Sequence, residues 1–184
     1  MTGYGARELA EAFRTVRANT LRIAEEIPEE KYGFRAAPDT RAVAGMLAHI
    51  ALGPSFALHV HRNRIADLKT LNFPELIQKL SAEEATPRTK AETLALLTSE
   101  GEKFASFLET LTEAFLAEHV AMPPGAEPAA KSRFELLLAA KEHEMHHRGQ
   151  LMLIERMLGI VPHLTRERQA RLAQAQARPL PSRG

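Results

Sequence analysis

Three histidines stand close together in the C-terminal third of the chain: His143, His146 and His147. In an α-helix, residues four positions apart lie one turn apart on the same face. His143 and His147 can therefore direct their imidazole rings at one point, which is how a helix commonly offers two ligands to a single ion. His146 lies on the other side of His143 and is the weaker candidate. A hydrogen-bonded or merely polar pair is the alternative interpretation of this spacing.

A further histidine, His49, lies in the middle of an apolar helical segment, residues 46–50 (MLAHI). An imidazole buried among apolar residues is costly unless a partner satisfies its nitrogens. Alone, such a residue is commonly a satisfied core histidine. Together with His143 and His147 on a second helix that packs nearby, it favours a shared ion.

The composition excludes several classes of protein and of site. The 184 residues include 24 Lys and Arg against 23 Asp and Glu, a net charge of +1, which argues against binding nucleic acid by phosphate neutralisation. Cysteine is absent, so disulfides, thiolate zinc sites and a cysteine nucleophile are excluded and any metal must be bound by nitrogen or oxygen. No run approaches the ~20 apolar residues of a membrane span, and residues 1–11 lack the apolar run of a signal peptide. We expect a cytoplasmic protein with a small-molecule substrate.

Four long helical segments must position these histidines. Apolar residues recur at spacings of three and four over residues 6–27, 89–118 and 131–158, and over a segment that follows Asp39 and Thr40, either of which could cap it. Pro54 predicts a break near Gly53 in that second segment. A short helix over residues 75–80 is expected in the connector, and no alternating strand is found. The pattern predicts an all-α fold, a four-helix bundle.

The domain organisation follows from these segments. Residues 1–164 form the bundle domain, and residues 165–184 form a basic C-terminal tail that is partly helical or frayed. His59 and His61 are expected at the surface, with either a candidate for the mouth of a pocket. Gln150, three residues after His147, could reach the site.

The chain resembles the DinB/YfiT-like family over nearly its whole length. The resemblance is carried by residues 27–35 (IPEEKYGFR), 38–41 (PDTR), 46–50 (MLAHI) and 143–151 (HEMHHRGQL), followed by Gly159 and Pro162. It implies a DinB-like four-helix bundle, frequently a homodimer, with a divalent ion, often zinc or nickel, held by three histidines. Carried across by position, these ligands are His49, His143 and His147. Characterised members include thiol-dependent S-transferases and a mycothiol-dependent isomerase.

Three neutral imidazoles leave a position on the ion open, which suits catalysis better than a closed structural site. The open position can lower the pKa of water or bind and deprotonate a thiol. We therefore expect a metal-dependent, thiol-dependent S-transferase, and the thiol must come from a low-molecular-weight cosubstrate because the chain lacks cysteine. A metal-dependent hydrolase with Glu144 as the base is the alternative chemistry. A non-catalytic, metal-stabilised binding protein is the third hypothesis.

Two other metal-site patterns fail in this sequence. His143, Glu144 and His147 satisfy the short H-E-x-x-H pattern of zinc peptidases, but Gln150 and Leu153 occupy the positions where the extended pattern requires glycine and a third histidine. A di-iron carboxylate bundle needs two Glu-x-x-His motifs, and only Glu144 to His147 has that spacing.

Overall fold

The computed structural model describes residues 3–177, and most of them are helical. The α-helices are α1 (Ala6–Glu26), α2 (Val43–Leu52), α3 (Pro54–Arg62), α4 (Phe73–Glu84), α5 (Lys90–Glu109), α6 (Glu113–Ala117), α7 (Arg133–Met157) and α8 (His163–Ala177). Four layers make the bundle: α1, the pair α2 and α3, α5, and α7. Smaller helices join them. The predicted all-α four-helix bundle is thereby confirmed.

The second layer is broken at Gly53, as Pro54 predicts. Proline has no backbone N–H and is tolerated at the first position of a helix, so Pro54 starts α3 where α2 has ended. The predicted cap is wrong: the residue before α2 is Ala42, and no side chain caps it. Thr40 instead closes a turn, its hydroxyl donating to the Ala37 carbonyl at 2.7 Å.

The third predicted segment, 89–118, is two helices, because α5 ends at Glu109 and Thr112 caps the short α6. Two strands follow, β1 (His119–Ala121) and β2 (Ala130–Ser132), which pair antiparallel. The expectation of no strand was wrong because three-residue strands are too short to show alternation. Ser132 then caps α7 and forms a capping box with Glu135, so this hairpin sets where the ligand-bearing helix begins.

An ion pair separates two apolar cores inside the bundle. One core contains Phe13, Phe104 and Leu137, and the other contains Ile23 and Leu151. Between them, Arg17 of α1 and Glu144 of α7 are buried, and the Arg17 Nη2 donates to Glu144 Oε2 at 2.9 Å. The guanidinium also donates to the Leu97 carbonyl of α5 at 2.6 Å and to the Ile50 carbonyl of α2 at 3.1 Å. One side chain therefore connects all four layers.

Helix α4 lies against α2 but contains no fully buried residue. It is longer than the predicted helix over 75–80 because the Asn72 side chain caps it by accepting from the Glu75 N–H.

Helix α8 extends from the predicted bundle domain into the predicted tail, which begins at residue 165, and residues 178–184 of that tail lie outside the described part of the chain. Its first turn is anchored, since His163 is fully buried and its Nε2 lies 3.0 Å from the Asn19 Oδ1 on α1.

One stretch, Val43–Arg62, is long and apolar enough to cross a membrane by length and composition alone, although none was expected. It is the broken pair α2 and α3, and 61% of its most apolar window is buried inside the bundle. Core helices of soluble proteins pass the same test, so this is weak evidence for a membrane span.

Replacing Arg17 with methionine leaves the Glu144 carboxylate buried without a counter-charge. Loss of one partner of a buried pair costs about 3–5 kcal/mol, and we expect R17M to lose unfolding free energy in that range in urea denaturation. The exposed pair Arg7–Glu11 supplies the control, because R7M should change little. An R17M protein as stable as the wild type would contradict the role of the pair.

Glu155 of α7 should make stability depend on pH. It is fully buried, and burial raises the pKa of its carboxyl to about 7. Because the unfolded pKa is about 4.3, the folded state holds the proton more tightly. The contribution of Glu155 to the free energy of unfolding is therefore fully present below about pH 4.3 and is lost as the pH rises through 7. We expect E155Q to match the wild type near pH 4.5 and to exceed it at pH 8 by up to roughly 3 kcal/mol. Denaturation at both pH values tests this, with exposed Glu142→Gln as the control.

Candidate metal centre

The three predicted ligands meet at one point between α2 and α7. The Nε2 atoms of His49 and His143 are 3.0 Å apart, and those of His143 and His147 are 3.2 Å apart. All three ligand nitrogens lie within 4.8 Å of one another. The structure therefore contains a three-histidine site built from the residues that the sequence singled out.

Hydrogen bonds on the far side of two rings fix their orientation. The Nδ1 of His49 donates to Glu84 Oε1 at 2.6 Å, and the Nδ1 of His147 donates to Gln150 Oε1 at 2.8 Å. Because both partners are acceptor oxygens, the hydrogen of each neutral ring is assigned to Nδ1. Each Nε2 is then left with a lone pair directed at the cluster.

The third ring is positioned by close packing against a glycine. A Cβ atom at Gly53 would lie 3.0 Å from the Nδ1 of His143 and 3.3 Å from its Cε1. The break between α2 and α3 therefore brings bare backbone against the His143 ring, and a larger residue would push that ring out of place.

The cluster is electrostatically suited to neutral imidazoles. Burial, with the neighbouring imidazoles, lowers the pKa of His143 to about 4, and burial also lowers the pKa of His147. Three adjacent imidazolium ions would repel one another, whereas neutral rings at physiological pH are the form that binds metal.

The donor set fits a divalent ion. Tetrahedral zinc with bonds of ~2.0–2.1 Å separates its nitrogen ligands by roughly 3.3–3.4 Å, close to the two Nε2 separations found here. Orientation of a ligating histidine by a carboxylate, as Glu84 orients His49, is the usual arrangement around such an ion, and the Gln150 amide oxygen accepts from His147 in the same way.

Two cavities of about 370 Å³ each flank the cluster. The first, which we call the apolar cavity, lies between α2, α3, α4 and α7 and includes His49 and His143 among its lining residues. The second, which we call the His147 cavity, is lined by Asp39, Thr40, Arg41, Met46, His147, Gln150, Leu153 and their neighbours. The histidines are therefore accessible from two sides, and the Arg41 guanidinium lines both cavities.

Glu144 is not placed to act as the base suggested by its motif. It is 1% exposed, and both of its carboxylate oxygens accept hydrogen bonds from Arg17. Helical geometry turns it about 100° from His143 and about 60° from His147, so it points into the core between α1 and α7. Its role here is structural, and the carboxylate that contacts a ligand is Glu84.

The remaining histidines separate into different environments. His59 is exposed as expected, but His61 is 2% exposed, contrary to the surface position predicted for it. Its Nδ1 accepts from Arg133 Nη1 at 3.2 Å, and burial with the adjacent guanidinium lowers its pKa to about 4. His146 lies beside the cluster, where its Nε2 accepts from the Gln150 amide at 3.1 Å.

Sequence reasoning missed three positioning residues, Arg17, Gly53 and Glu84. Glu84 lies 35 positions from its partner His49 in a connector, and nothing in its local pattern distinguishes it from the adjacent Glu83.

The model of the DinB superfamily matches residues 12–151, about three quarters of the chain. The chain belongs to the DinB superfamily. Its three-histidine site therefore lies within the region that defines the family match, and the expected DinB/YfiT-like relationship is confirmed.

Known relatives agree with this assignment. YjoA of Bacillus subtilis is 24% identical over 154 residues, covering 84% of this chain and 91% of YjoA. The crystal structure of this DinB-like protein superimposes with a TM-score of 0.61 at 22% identity, over 83% of this chain and 92% of YjoA.

A second solved structure, YfiT from Bacillus subtilis, is described as a probable metal-dependent hydrolase with an unusual four-helix bundle topology. It gives a TM-score of 0.66 at 14% identity, over 87% of this chain and 91% of YfiT. At these identities both structures show that the DinB superfamily protein described here shares their fold.

Removing the Glu84 carboxylate should weaken metal binding without dismantling the site. Loss of a hydrogen-bond partner to a metal ligand typically costs about 10–100-fold in affinity, so we expect E84A to bind zinc that much more weakly than the wild type. Competition with a chromophoric chelator measures the affinity. E83A alters the adjacent, exposed carboxylate and should leave it unchanged. Equal affinities for the two variants would show that Glu84 does not support His49.

Proposed function

We propose that this protein is a divalent-metal-dependent enzyme that joins a small nucleophile to an electrophilic substrate. The observation that carries the proposal is the convergence of the Nε2 atoms of His49, His143 and His147, with two cavities opening onto them. A closed structural site would use a fourth protein ligand. The described residues supply three.

A divalent ion held by these imidazoles keeps a coordination position open, and there it lowers the pKa of a thiol or a water molecule. The protein's own groups do the rest. Glu84 and Gln150 hold two of the rings in the tautomer that directs Nε2 inward. Arg41, half-exposed and lining both cavities, can attract the anionic part of a substrate or cosubstrate to the site.

A thiol is the nucleophile that we propose first. Its ordinary pKa of about 8.5 needs only a small shift to give thiolate at neutral pH, so the reaction does not require a separate base. Two glutamates beside the ligands are already engaged, Glu144 by Arg17 and Glu84 by His49. A low-molecular-weight thiol must supply the sulfur because the chain has no cysteine.

Hydrolysis is the second candidate, and two observations favour it. YfiT, which shares this fold, is described as a probable metal-dependent hydrolase. The exposed Asp39 also lines the His147 cavity together with His147, and its carboxylate could accept the proton of an attacking water molecule. In this alternative Asp39, rather than Glu144, takes the role of base.

The proposal is tested first by metal content and then by turnover. Protein purified without a histidine tag should hold about one divalent ion per chain, and H147A should lose it, whereas exposed His59→Ala should retain it. If neither wild type nor control binds zinc or nickel, the metal-dependent proposal is wrong.

The nucleophile is identified with probe substrates on the metal-loaded protein. Thiol transfer predicts consumption of 1-chloro-2,4-dinitrobenzene only when a thiol such as cysteine is added, with the rate lost in H147A. Hydrolysis predicts release of nitrophenol from 4-nitrophenyl acetate without thiol, with the rate lost in both H147A and D39N. A metal-loaded protein that turns over neither probe would favour the non-catalytic binding protein.

A further inference from the structure

The apolar cavity is a channel that runs away from the histidines between α7, the pair α2 and α3, and helix α4. His49 meets His143 at one end, while His61 of α3 contacts Arg133 near the start of α7, so α2 and α3 run antiparallel to α7. From His143 to Leu136, which line its two ends on α7, seven residues at 1.5 Å each span about 10 Å. The facing wall, α4, covers the same seven-residue length from Glu84 to Ile77.

The walls of this channel differ sharply in polarity from one end to the other. Beyond the histidine end they are formed by Leu52, Phe56, Val60, Ile77, Leu80, Leu136 and nearby alanines. The two charged groups, Arg41 and Glu84, stand together at the histidine end, with their nearest atoms 3.6 Å apart. His61 at the far end is buried among these residues and is uncharged at neutral pH, since burial keeps its pKa near 4. A ligand that fills the channel must therefore be apolar over most of its length.

The volume limits the size of that ligand. An engineered cavity of ~150 Å³ lined by Leu, Ile and Phe binds benzene, and the apolar cavity has about 370 Å³. It can hold roughly twice the volume of one benzene ring, which corresponds to a fused two-ring aromatic group or an alkyl chain of similar volume.

We propose that the apolar cavity binds the apolar body of the substrate, a compact aromatic or alkyl group attached directly to the group that reacts at His49 and His143. The position of the reacting group rests on the proposed function, whereas the assignment of the cavity to an apolar body rests on its walls. The His147 cavity also has apolar walls, but five of its nine lining residues are polar or charged, so it is the less suitable place for such a body.

Helix α4 provides the access that the proposal needs. None of its residues is fully buried, and Ile77 is 54% exposed although it lines the cavity. Its ends are held, by Phe73 stacked on Phe56 and by Glu84 hydrogen-bonded to His49, so the middle of α4 is the part that can move at low cost in free energy. The apolar body can therefore reach the channel past Ile77, in the middle of α4, without disturbing the buried cores of the bundle.

A series of straight-chain alcohols from butanol to decanol tests the proposal by displacing the fluorescent probe N-phenyl-1-naphthylamine. We expect affinity to rise about fourfold per added methylene until the chain fills the cavity, and then to level off. Ala139→Phe places a ring in the cavity at an exposed position, and should weaken octanol binding about tenfold or more by occupying the volume of several methylenes. Ile77→Asp, on the opposite wall, should weaken it as well, and circular dichroism verifies that both variants fold.

The matched control is Ala36→Phe, the same substitution at an exposed position that lines the His147 cavity. It should leave octanol binding unchanged. Affinity that does not depend on chain length, or loss of binding in A36F but not in A139F and I77D, would overturn the proposal. Measurements on metal-free protein separate it from the proposed function, because chain-length-dependent binding that A139F weakens would support the cavity assignment even if zinc and nickel failed to bind.

Discussion

The buried guanidinium of Arg17 is the interaction on which the arrangement of this bundle depends. It donates hydrogen bonds to groups on α2, α5 and α7, and so links its own helix to the other three layers. Two of these contacts are made with the immediate neighbours of metal-ligand candidates, since Ile50 follows His49 and Glu144 follows His143. Helix α5 passes close enough that a Cβ atom at Gly101 would lie 2.8 Å from the Arg17 Cγ. An uncompensated buried charge is strongly unfavourable, so rotations of α2 or α7 that would break these bonds, and misdirect the histidines, are disfavoured.

The histidine cluster depends in turn on an element outside the four layers. Helix α4 contributes the Glu84 carboxylate that orients His49, and the same helix forms one wall of the apolar cavity. Because α4 has no fully buried residue, the most weakly held helix of the site is the one that touches both a ligand and the cavity. A molecule bound in the cavity and the His49 ring therefore contact the same helix. The other two histidines, His143 and His147, lie on α7, which the core anchors.

The placement of Glu144 shows why a short motif does not define a site. The spacing of His143, Glu144 and His147 matches a peptidase motif, yet the glutamate faces the core and neutralises Arg17 instead of facing the cluster. Membership of the DinB superfamily fits this outcome, because a helical bundle has an interior into which one residue of every turn must point. The chemistry that we propose is accordingly drawn from residues on the cluster side of α7 and from the two cavities.

The sequence by itself determined the helical layers, the break at Gly53 and the three histidines that share a site, because helical periodicity, proline and the spacing of four residues are local properties that the chain carries whatever its partners. The short strands and the division of residues 89–118 were not predictable, since three-residue strands carry no periodic signal. Only the tertiary structure decided that Glu84 supports His49, that Arg17 holds Glu144, that His61 is buried and that an apolar cavity adjoins the histidines. The two hydrogen-bonded pairs join residues 35 and 127 positions apart in the sequence. The burial of His61 and the cavity depend on which face of each helix is covered by the other helices. A local sequence pattern indicates whether a side chain is polar or apolar, but the packing of the other helices determines which groups that side chain contacts.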